Sequence, residues 1–525
     1  MKQVYYNGTI ITLENEKIEA LIVENGKITK TGKKAEILEE VKNQDVEQID
    51  LKGRCLMPSF IDSHSHIVSL AQTLGIAQLQ QCSDYEEIIN AMKKFKQDNN
   101  KNDEEWIVGF GYDHNFLKEK EQPTKEILDK ISTTNPVMIT HKSGHMGVLN
   151  TKALEILGIN EQTEDPDGGK IGRIKNTKEP NGYLEESAFI NATQKTQINT
   201  KEQMIKLIKK AEKIYASYGI TTAQEGLTKQ TEFDLLRSMA DNKMLDLDII
   251  SYVDIKNCEE IVNENKSMIG KYYNNYKIGG YKLFLDGSPQ GKTAWISKPY
   301  EGEEKYCGYP IYESKQVEGF VQKAINEKVQ LITHCNGDSA AEQLIKAYEK
   351  SETINNYRPV MIHAQLVRKD QLPRMKKINM IPSFFVAHVY YWGDIHIKNL
   401  GKRAQDISPI KSAIENELIY TMHQDTPVIL PNMFETIWCA VNRKTQNGIE
   451  IGNCQKITVK EAIKGLTINS AYQYFEENDK GSIKTGKKAD FIIIDKNPLD
   501  INIEELKSIK ILYTIKNGKI IYKGD

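Results

Sequence analysis

The chain has 525 residues, which is too long for one ordinary hydrophobic core and fits two or three domains. Hydrophobic residues make up 39% and charged residues 27%, proportions that exclude a disordered or fibrous protein. The net charge of −2 gives no reason to expect binding to nucleic acid or to a membrane surface, and no apolar run reaches the ~18 residues of a membrane span. Seven scattered cysteines without a C-x-x-C pair favour a reducing cytoplasm over a disulfide framework.

Both ends of the chain are rich in β-forming residues and carry Asn-Gly pairs, the strongest short signal for a hairpin. These pairs stand at Asn7-Gly8, Asn25-Gly26 and Asn517-Gly518. Two separate β units would each be too small to close a core. We therefore predict one small β-sandwich formed by both termini, residues 1–56 and 475–525.

Between the two ends, short apolar runs alternate with amphipathic stretches of helical period, such as residues 315–327 and 339–350. This alternation predicts an α/β fold with a (β/α)8 TIM-type barrel of residues 57–69 and 206–474. The eight candidate strands end at residues 64–66, 221–225, 249–253, 282–286, 331–334, 361–363, 383–388 and 420–425. About 150 residues separate the first two strands, far more than a crossover needs, so we predict an inserted α/β subdomain of residues 70–205 over the barrel mouth.

Histidines concentrate at the predicted strand ends. Five of the ten histidines lie there, namely His64, His66, His334, His363 and His423. On a strand, His64 and His66 would point to the same face, because successive side chains alternate between faces. The carboxyl ends of barrel strands meet at the face that carries active sites, and imidazoles brought together there can bind a metal ion. The sequence therefore predicts a metal site; we expect His114, His141 and His396 to be structural or exposed.

Several segments, in order and spacing, resemble the amidohydrolase superfamily, specifically the YtcJ-like metal-dependent hydrolases that include N-substituted formamide deformylases. The segments are MPSFIDSHSH at 57–66, SGH at 143–145, LNTKAL at 149–154, LFLDGS at 283–288, THCNGD at 333–338, IHAQ at 362–365 and GSIKTGKKAD at 481–490. The resemblance covers nearly the whole chain and implies a metal-binding barrel with a β-sandwich from both termini. Two departures lie beside the site: His423-Gln424-Asp425 replaces the frequent Gly-Ser-Asp, and Cys335-Asn336 replaces smaller, more usual residues.

The resemblance also implies two divalent ions, most simply zinc, although imidazole and carboxylate suit iron and manganese as well. The implied ligands are His64, His66, Lys282, His334, His363 and Asp425. The histidines of the first motif would share one ion with Asp425, and those of strands five and six would bind the other. Lys282 would bridge the ions as a carbamate, because an ammonium group between two dications is prohibitively costly. The alternative is an unmodified Lys282 beside a single ion.

The implied reaction is hydrolysis of an amide- or formamide-type carbon–nitrogen bond in a small molecule. A metal-activated hydroxide would attack the carbonyl, and Asp425 would carry the proton to the leaving amine. His145 or His388 would help to polarise the carbonyl oxygen, and Asp286 begins a loop predicted to lie on the substrate side. His423 is the alternative proton carrier. We expect no macromolecular partner beyond a possible homodimer.

Other reactions remain open. An ester, lactone or cyclic imide would use the same machinery. A mononuclear deaminase would need a Glu three residues after the histidine of strand five, where this chain has Gly337. A catalytically inactive metal- or ligand-binding barrel is the remaining alternative, and the presence of every implied ligand argues against it.

Overall fold

A computed structural model describes residues 2–194, 196, 199–351 and 356–524. Contacts divide the chain into two compact units. The main unit comprises Met1–Val68 and Glu212–Asp525, and the intervening unit comprises Ser69–Ala211. Among the described residues, no helix combines the length and the apolar character needed to cross a bilayer.

The described strands, in chain order, are β1 (Lys2–Tyr6), β2 (Thr9–Ile10), β3 (Ala20–Glu24), β4 (Lys27–Gly32), β5 (Glu47–Asp50), β6 (Cys55–Pro58), β7 (Phe60–Ile61), β8 (Ala77–Gln78), β9 (Ile107–Tyr112), β10 (Val137–His141), β11 (Met146–Leu149), β12 (Gly169–Arg173), β13 (Pro180–Glu186), β14 (Ile220–Thr228), β15 (Asp248–Asp254), β16 (Tyr276–Phe284), β17 (Gln330–Cys335), β18 (Val360–His363), β19 (Ile381–Phe384), β20 (Thr421–Met422), β21 (Phe491–Ile494), β22 (Ile511–Lys516) and β23 (Lys519–Lys523).

The described α-helices are α1 (Lys34–Val41), α2 (Ile67–Leu74), α3 (Tyr85–Asp98), α4 (Lys125–Asp129), α5 (Thr151–Leu157), α6 (Ser187–Gln194), α7 (Lys201–Ser217), α8 (Gln230–Asp241), α9 (Glu259–Glu264), α10 (Ser314–Asn326), α11 (Asp338–Lys350), α12 (Leu372–Lys377), α13 (His388–Leu400), α14 (Ile410–Glu415), α15 (Met433–Asn442), α16 (Val459–Gly465) and α17 (Ile468–Gln473). Short 3₁₀ turns occupy Lys266–Met268, Gly401–Asp406, Asn453–Gln455 and Ile503–Ser508.

The main unit is built on one parallel sheet of eight strands in the order β7-β14-β15-β16-β17-β18-β19-β20. Because this order follows the chain, each strand lies beside its predecessor, as repeated strand–helix units require. The sheet curls until its two end strands approach: Ser63 Oγ donates to the carbonyl of Met422 (2.9 Å), and the amide of His66 donates to the carbonyl of Thr426 (2.8 Å). The predicted α/β class is confirmed; full closure into a barrel stays a prediction.

Strand seven ends earlier than the sequence pattern indicated. We predicted a strand through residue 388, but β19 ends at Phe384 and His388 begins α13. The aromatic run after it is therefore helical. His388, Trp392 and His396 recur every four residues, which places them on one helix face. This helical period could be read from the sequence. It indicates a helix from His388 onward, although the apolar run before it suggested that the strand continues.

The terminal segments form two sheets, with orders β4-β3-β1-β5 and β2-β6-β21-β22-β23. Asn25-Gly26 joins β3 to β4 and Asn517-Gly518 joins β22 to β23, and all four residues have positive φ, as tight hairpin turns require. The hairpin predicted at Asn7-Gly8 is wrong, because β2 leaves the sheet of β1 and pairs with β6. Leu21 from one sheet and Phe491 from the other share a buried cluster.

The intervening unit has its own sheet, in the order β12-β13-β11-β10-β9-β8, and its own buried clusters. Helix α3 begins at an Asp84 cap that accepts from the amide of Glu87, and it buries Ile88 and Met92. The placement of the intervening unit over the barrel mouth stays a prediction.

A buried cluster of charges lies at the amino ends of β15 and β16, the edge of the sheet opposite the strand ends that carry the histidines. Asp248 pairs with Lys480 (2.6 Å) and Lys516 (2.8 Å), and Glu476 pairs with Lys277 (2.5 Å) and Lys480 (2.9 Å). Although burial opposes its charge, Lys480 and Lys516 keep the pKa of Asp248 well below its usual value. The cluster ties the central sheet to β22 of the terminal sheet.

We expect Asp248→Asn to lower the free energy of unfolding by about 3–5 kcal/mol, because it leaves two buried lysines without their shared carboxylate. A carboxylate whose pKa falls on folding stabilises the fold fully above its unfolded pKa of ~3.9 and loses that effect as the pH falls below it. The difference between wild type and variant should therefore be constant near neutrality and shrink in acid. Urea unfolding followed across pH measures it.

The matched control is Asp241→Asn, which removes an exposed partner of Arg237 (3.0 Å) and should cost less than about 1 kcal/mol. Equal losses from the two variants would contradict the importance of the buried cluster.

Candidate metal centre

The carboxyl ends of the central strands bring the predicted ligands to one edge of the sheet. Lys282 lies in β16. Two residues later in the same strand, Phe284 pairs with His334 of β17. His363 is the last residue of β18 and lies opposite Cys335. The remaining candidates follow the two end strands: His64 and His66 come after β7, and His423 and Asp425 after β20. His64 and His66 thus lie in the turn beyond the strand. The prediction that both lie on the strand itself, with side chains on one face, is wrong.

Asp425 is the point on which these side chains converge. Its Oδ1 atom lies 3.4 Å from Nε2 of His64 and 3.4 Å from Nε2 of His66, and its Oδ2 atom lies 3.9 Å from Nε2 of His363. Oδ1 is buried and has no hydrogen-bond partner among the described residues. A buried carboxylate oxygen without a partner is costly, and a cation at this point would remove that cost.

Hydrogen bonds determine which nitrogen of His64 is free. Its Nδ1 atom lies 2.7 Å from Oε1 of Gln224, whose amide nitrogen donates to the carbonyl of Ser63 (2.9 Å). Since Oε1 can only accept, Nδ1 of His64 carries the proton. The lone pair on Nε2 then faces Asp425 and Nζ of Lys282, which lies 3.3 Å away.

His334 presents a second free nitrogen. Its Nε2 atom lies 3.2 Å from the carbonyl oxygen of Gly287, which can only accept, and 3.1 Å from the amide nitrogen of Asn336, which also donates to that carbonyl. In the tautomer that directs the Nε2 proton to the carbonyl, Nδ1 is unprotonated and lies 3.0 Å from Nε2 of His363. Deprotonated nitrogens that point into one space, next to a carboxylate, form the donor set of a divalent ion.

Burial keeps most of these groups neutral. It lowers the pKa of His334 to about 4 and that of His64 well below its usual value, and nearby Lys282 adds to both effects. Burial also lowers the pKa of Lys282 to about 7. His66 differs: burial opposes its charge, but Asp425 and Glu225 raise its pKa to about 9.

Two residues of the centre have a strained backbone. His363 has φ = 73° and Asp425 has φ = 53°, in the left-handed region that side chains other than Gly rarely adopt. Each such residue costs about 1–3 kcal/mol and is typical of functional sites, where the surrounding structure compensates for it.

The three residues predicted to contact substrate have different environments. Both oxygens of Asp286 accept backbone hydrogen bonds, from Trp295 (3.0 Å), Asn336 (2.9 Å) and Gly337 (2.7 Å), so its carboxylate holds loops together. His388 is buried, with its Nδ1 atom 3.1 Å from Nε2 of His396. Their contact with substrate stays a prediction.

His145, the third of these residues, belongs to the intervening unit. Its Nδ1 atom lies 3.0 Å from Oε2 of Glu186, and 61% of its side chain is exposed. Its contact with substrate stays a prediction too.

Sequence reasoning missed two residues that hold the centre together. Gln224 fixes the tautomer of His64, and the buried Glu225 places Oε1 3.6 Å from Nδ1 of His66 while its Oε2 accepts from the amide of Val68 (2.9 Å). The available signal in the sequence was the polar pair Gln224-Glu225 in β14, towards the carboxyl end of the strand, where active-site residues occur.

The intervening unit contains another group of imidazoles and a carboxylate, formed by Asp113, His114 and His141. Nδ1 of His141 accepts from the amide of Ser143 (3.1 Å), so its Nε2 donates to Asp113 (3.3 Å) and is not free to bind a metal. The ammonium group of Lys142 lies 2.6 Å from the same carboxylate and would repel a cation. This group is a hydrogen-bonded network.

Comparison with known proteins agrees with this geometry. Residues 47–522 match the profile of the amidohydrolase family. The chain belongs to this family. Among its relatives are the Bacillus subtilis (strain 168) protein named as amidohydrolase YtcJ, 27% identical over all of both chains, and the N-substituted formamide deformylase of Arthrobacter pascens, 23% identical over 98% of this chain and 97% of the relative. A solved structure of an uncharacterized metal-dependent hydrolase from Pyrococcus horikoshii OT3 has a TM-score of 0.78 and 25% identity and covers 96% of this chain and 99% of its own.

Family membership confirms the predicted enzyme class: the amidohydrolase is a hydrolase of carbon–nitrogen bonds. The residues present at the strand ends also fit a divalent cation, since they supply unprotonated imidazole nitrogens and a partnerless carboxylate oxygen.

Proposed function

We propose that this amidohydrolase cleaves an amide- or formamide-type bond of a small molecule at a centre formed by His64, His66, Lys282, His334, His363 and Asp425. The observation that carries the proposal is the convergence of the imidazoles of His64 and His66 on the buried Oδ1 atom of Asp425, which accepts no hydrogen bond from the described residues. The relative from Arthrobacter pascens, an N-substituted formamide deformylase by name, supports this class of substrate.

The donor set would divide between two ions, of which zinc is the first candidate and iron or manganese the alternatives. The imidazoles of His64 and His66 would hold one ion together with Asp425. Those of His334 and His363 would hold the other. A divalent ion, when bound, lowers the pKa of water from 15.7 towards ~7 and polarises a carbonyl.

Lys282 would bridge the two positions as a carbamate. Its burial and its pKa of about 7 favour the neutral amine, which forms a bond from Nζ to the carbon of carbon dioxide and releases one proton. The product carries a negative charge and two oxygens, one for each position. Carbamylation also replaces a cation beside His64 with an anion, which suits a site for two cations.

Asp425 would move the proton. As the nucleophile attacks the carbonyl carbon, a carboxylate oxygen of Asp425 accepts its proton; as the carbon–nitrogen bond breaks, the same oxygen returns the proton to the amine. The carboxylate is available because its pKa stays well below its usual value: burial opposes the charge, but close approach to His66 and the other imidazoles outweighs burial. If His145 or His388 contacts substrate, its part would be to orient the carbonyl oxygen.

A ring deaminase is a poorer candidate. Its acid would have to occupy position 337, but a Cβ atom on Gly337 would lie 1.9 Å from the carbonyl oxygen of Trp295. The loop therefore excludes any side chain there. An ester, lactone or cyclic imide would satisfy the same centre, and the substrate panel below separates these from amides.

We further propose that the intervening unit covers the mouth of a closed barrel and that the substrate is a small cytoplasmic metabolite. We also propose a homodimer, which light scattering would test. The separate core of residues 69–211 supports an independent unit.

The test is hydrolysis of a panel of N-formyl amines, N-acyl amines, esters, lactones and cyclic imides by protein loaded with zinc and bicarbonate. We expect about two ions per chain by elemental analysis and the highest kcat/KM on an amide or formamide. His334→Ala is the control and should lose metal and turnover together. A metal-loaded enzyme that cleaves esters and no amide would contradict the proposed bond.

A further inference from the structure

A row of buried hydrogen bonds runs from His363 to a backbone carbonyl on the far end strand. Nδ1 of His363 lies 3.1 Å from Nε2 of His423, and Nδ1 of His423 lies 2.9 Å from Oγ of Ser383. Oγ of Ser383 lies 3.3 Å from Oγ of Ser63, which lies 2.9 Å from the carbonyl oxygen of Met422. His423 and both serines are fully buried.

The carbonyl at the end fixes the direction of every proton in the row. A carbonyl oxygen can only accept, so the single hydroxyl proton of Ser63 points to Met422. The contact between the serines then needs the proton of Ser383. With that proton used, Oγ of Ser383 accepts from Nδ1 of His423.

The same order continues into the metal centre. Because Nδ1 of His423 donates, its Nε2 atom is the acceptor and receives the Nδ1 proton of His363. The remaining nitrogen of His363, Nε2, therefore carries no proton, and it is the atom that lies 3.0 Å from Nδ1 of His334 and 3.9 Å from Oδ2 of Asp425. One arrangement of protons satisfies all four hydrogen bonds.

We propose that His423 is a positioning residue, which holds His363 in the tautomer that presents a bare Nε2 to the metal centre. This inference rests on the proposed metal-dependent function. Both nitrogens of His423 are occupied, one by His363 and one by Ser383, so His423 is not itself a ligand. Because these side chains are buried, bulk water does not replace a hydrogen bond that is lost from the row.

The first test is metal affinity, measured by competition with a chelator. His423→Phe keeps the ring but cannot accept from His363, and it should weaken metal binding by about 10–100-fold. His423→Gln can accept through Oε1 and should restore most of that affinity. Ser383→Ala removes the next member of the row and should cause a smaller loss in the same direction, which carries the test if His423→Phe does not fold.

The second test is the tautomer of His363 in metal-free protein, read from the ¹⁵N chemical shifts of its ring. Wild type should show a protonated Nδ1 and a bare Nε2, and His423→Phe should shift population to the protonated Nε2. His396→Phe, the same exchange at another buried histidine, is the matched control and should alter neither reading.

The outcomes separate this inference from the proposed function. Wild type that binds no metal but shows the bare Nε2 tautomer would overturn the function and support the positioning role. Wild type that binds metal, with His423→Phe equal to it in affinity and tautomer, would overturn the positioning role alone. Loss of one whole ion from both His423→Phe and His423→Gln would make His423 a ligand and would also overturn it.

Discussion

Asp425→Asn should lower kcat by roughly 10²–10⁴-fold while the fold and most of the bound metal are retained, because an amide oxygen can still coordinate weakly but cannot accept a proton near neutral pH. The side chain of Asp425 lies at the centre of the proposed site. Its Oδ1 atom is 3.4 Å from the Nε2 atoms of His64 and His66, and its backbone has a strained conformation. Steady-state kinetics on the best amide of the panel, with metal content measured on the same sample, gives the result.

The comparison that assigns the proton carrier uses His423→Gln. That variant keeps a hydrogen bond to His363 but offers no group that titrates near neutral pH. If Asp425 carries the proton, Asp425→Asn is by far the more damaging change. A mild defect in Asp425→Asn beside a severe one in His423→Gln would move the role to His423.

Lys282→Ala should abolish measurable turnover, since it removes the group that would link the two halves of the metal centre. Short carboxylates such as formate or acetate, added in the absence of bicarbonate, should partly restore activity by filling the space that the side chain leaves. The side chain is buried and Nζ lies 3.3 Å from Nε2 of His64, so the space opens directly onto the centre. Titration of each carboxylate against initial rate measures the restoration.

Lys277→Ala is the control for that rescue. It also removes a buried lysine from β16, but at the opposite end of the strand, beside Glu476. Carboxylates should not raise its activity. An active, metal-loaded wild type whose mass shows an unmodified Lys282 would contradict the carbamate and leave the hydrolase intact.

The class of fold could be predicted from sequence because its signals are local and repeated. Apolar runs of strand length alternate with helical periods, so the eight parallel strands could be located before any contact was known. One error arose where pairing over distance overrides a local signal. Asn7-Gly8 is a hairpin by composition, but β2 pairs with β6 instead.

The candidate metal centre was predictable to the extent that its residues are histidines at strand ends. What the sequence could not supply is the direction of each hydrogen bond. Gln224 selects the tautomer of His64 from 160 residues away along the chain, and Ser63 reaches Ser383 across 320 residues. Such contacts depend on the curl of the sheet. The three backbone hydrogen bonds that the carboxylate of Asp286 accepts could not be predicted from the sequence either.

The end strands β7 and β20 have two residues each, the shortest of the central sheet, yet they flank the point where the sheet must close on itself. The proposed metal ligands come from both sides of that point, His64 and His66 from one and Asp425 from the other. A cation that is bound by residues from both sides binds only while β7 and β20 remain close together. By mass action, its binding free energy therefore opposes the separation of these strands. At a cation concentration of a thousand times Kd, this stabilisation amounts to about 4 kcal/mol. The proposed catalytic centre would then also stabilise the closure of the sheet. Removal of the metal by a chelator would destabilise the fold first at the active site.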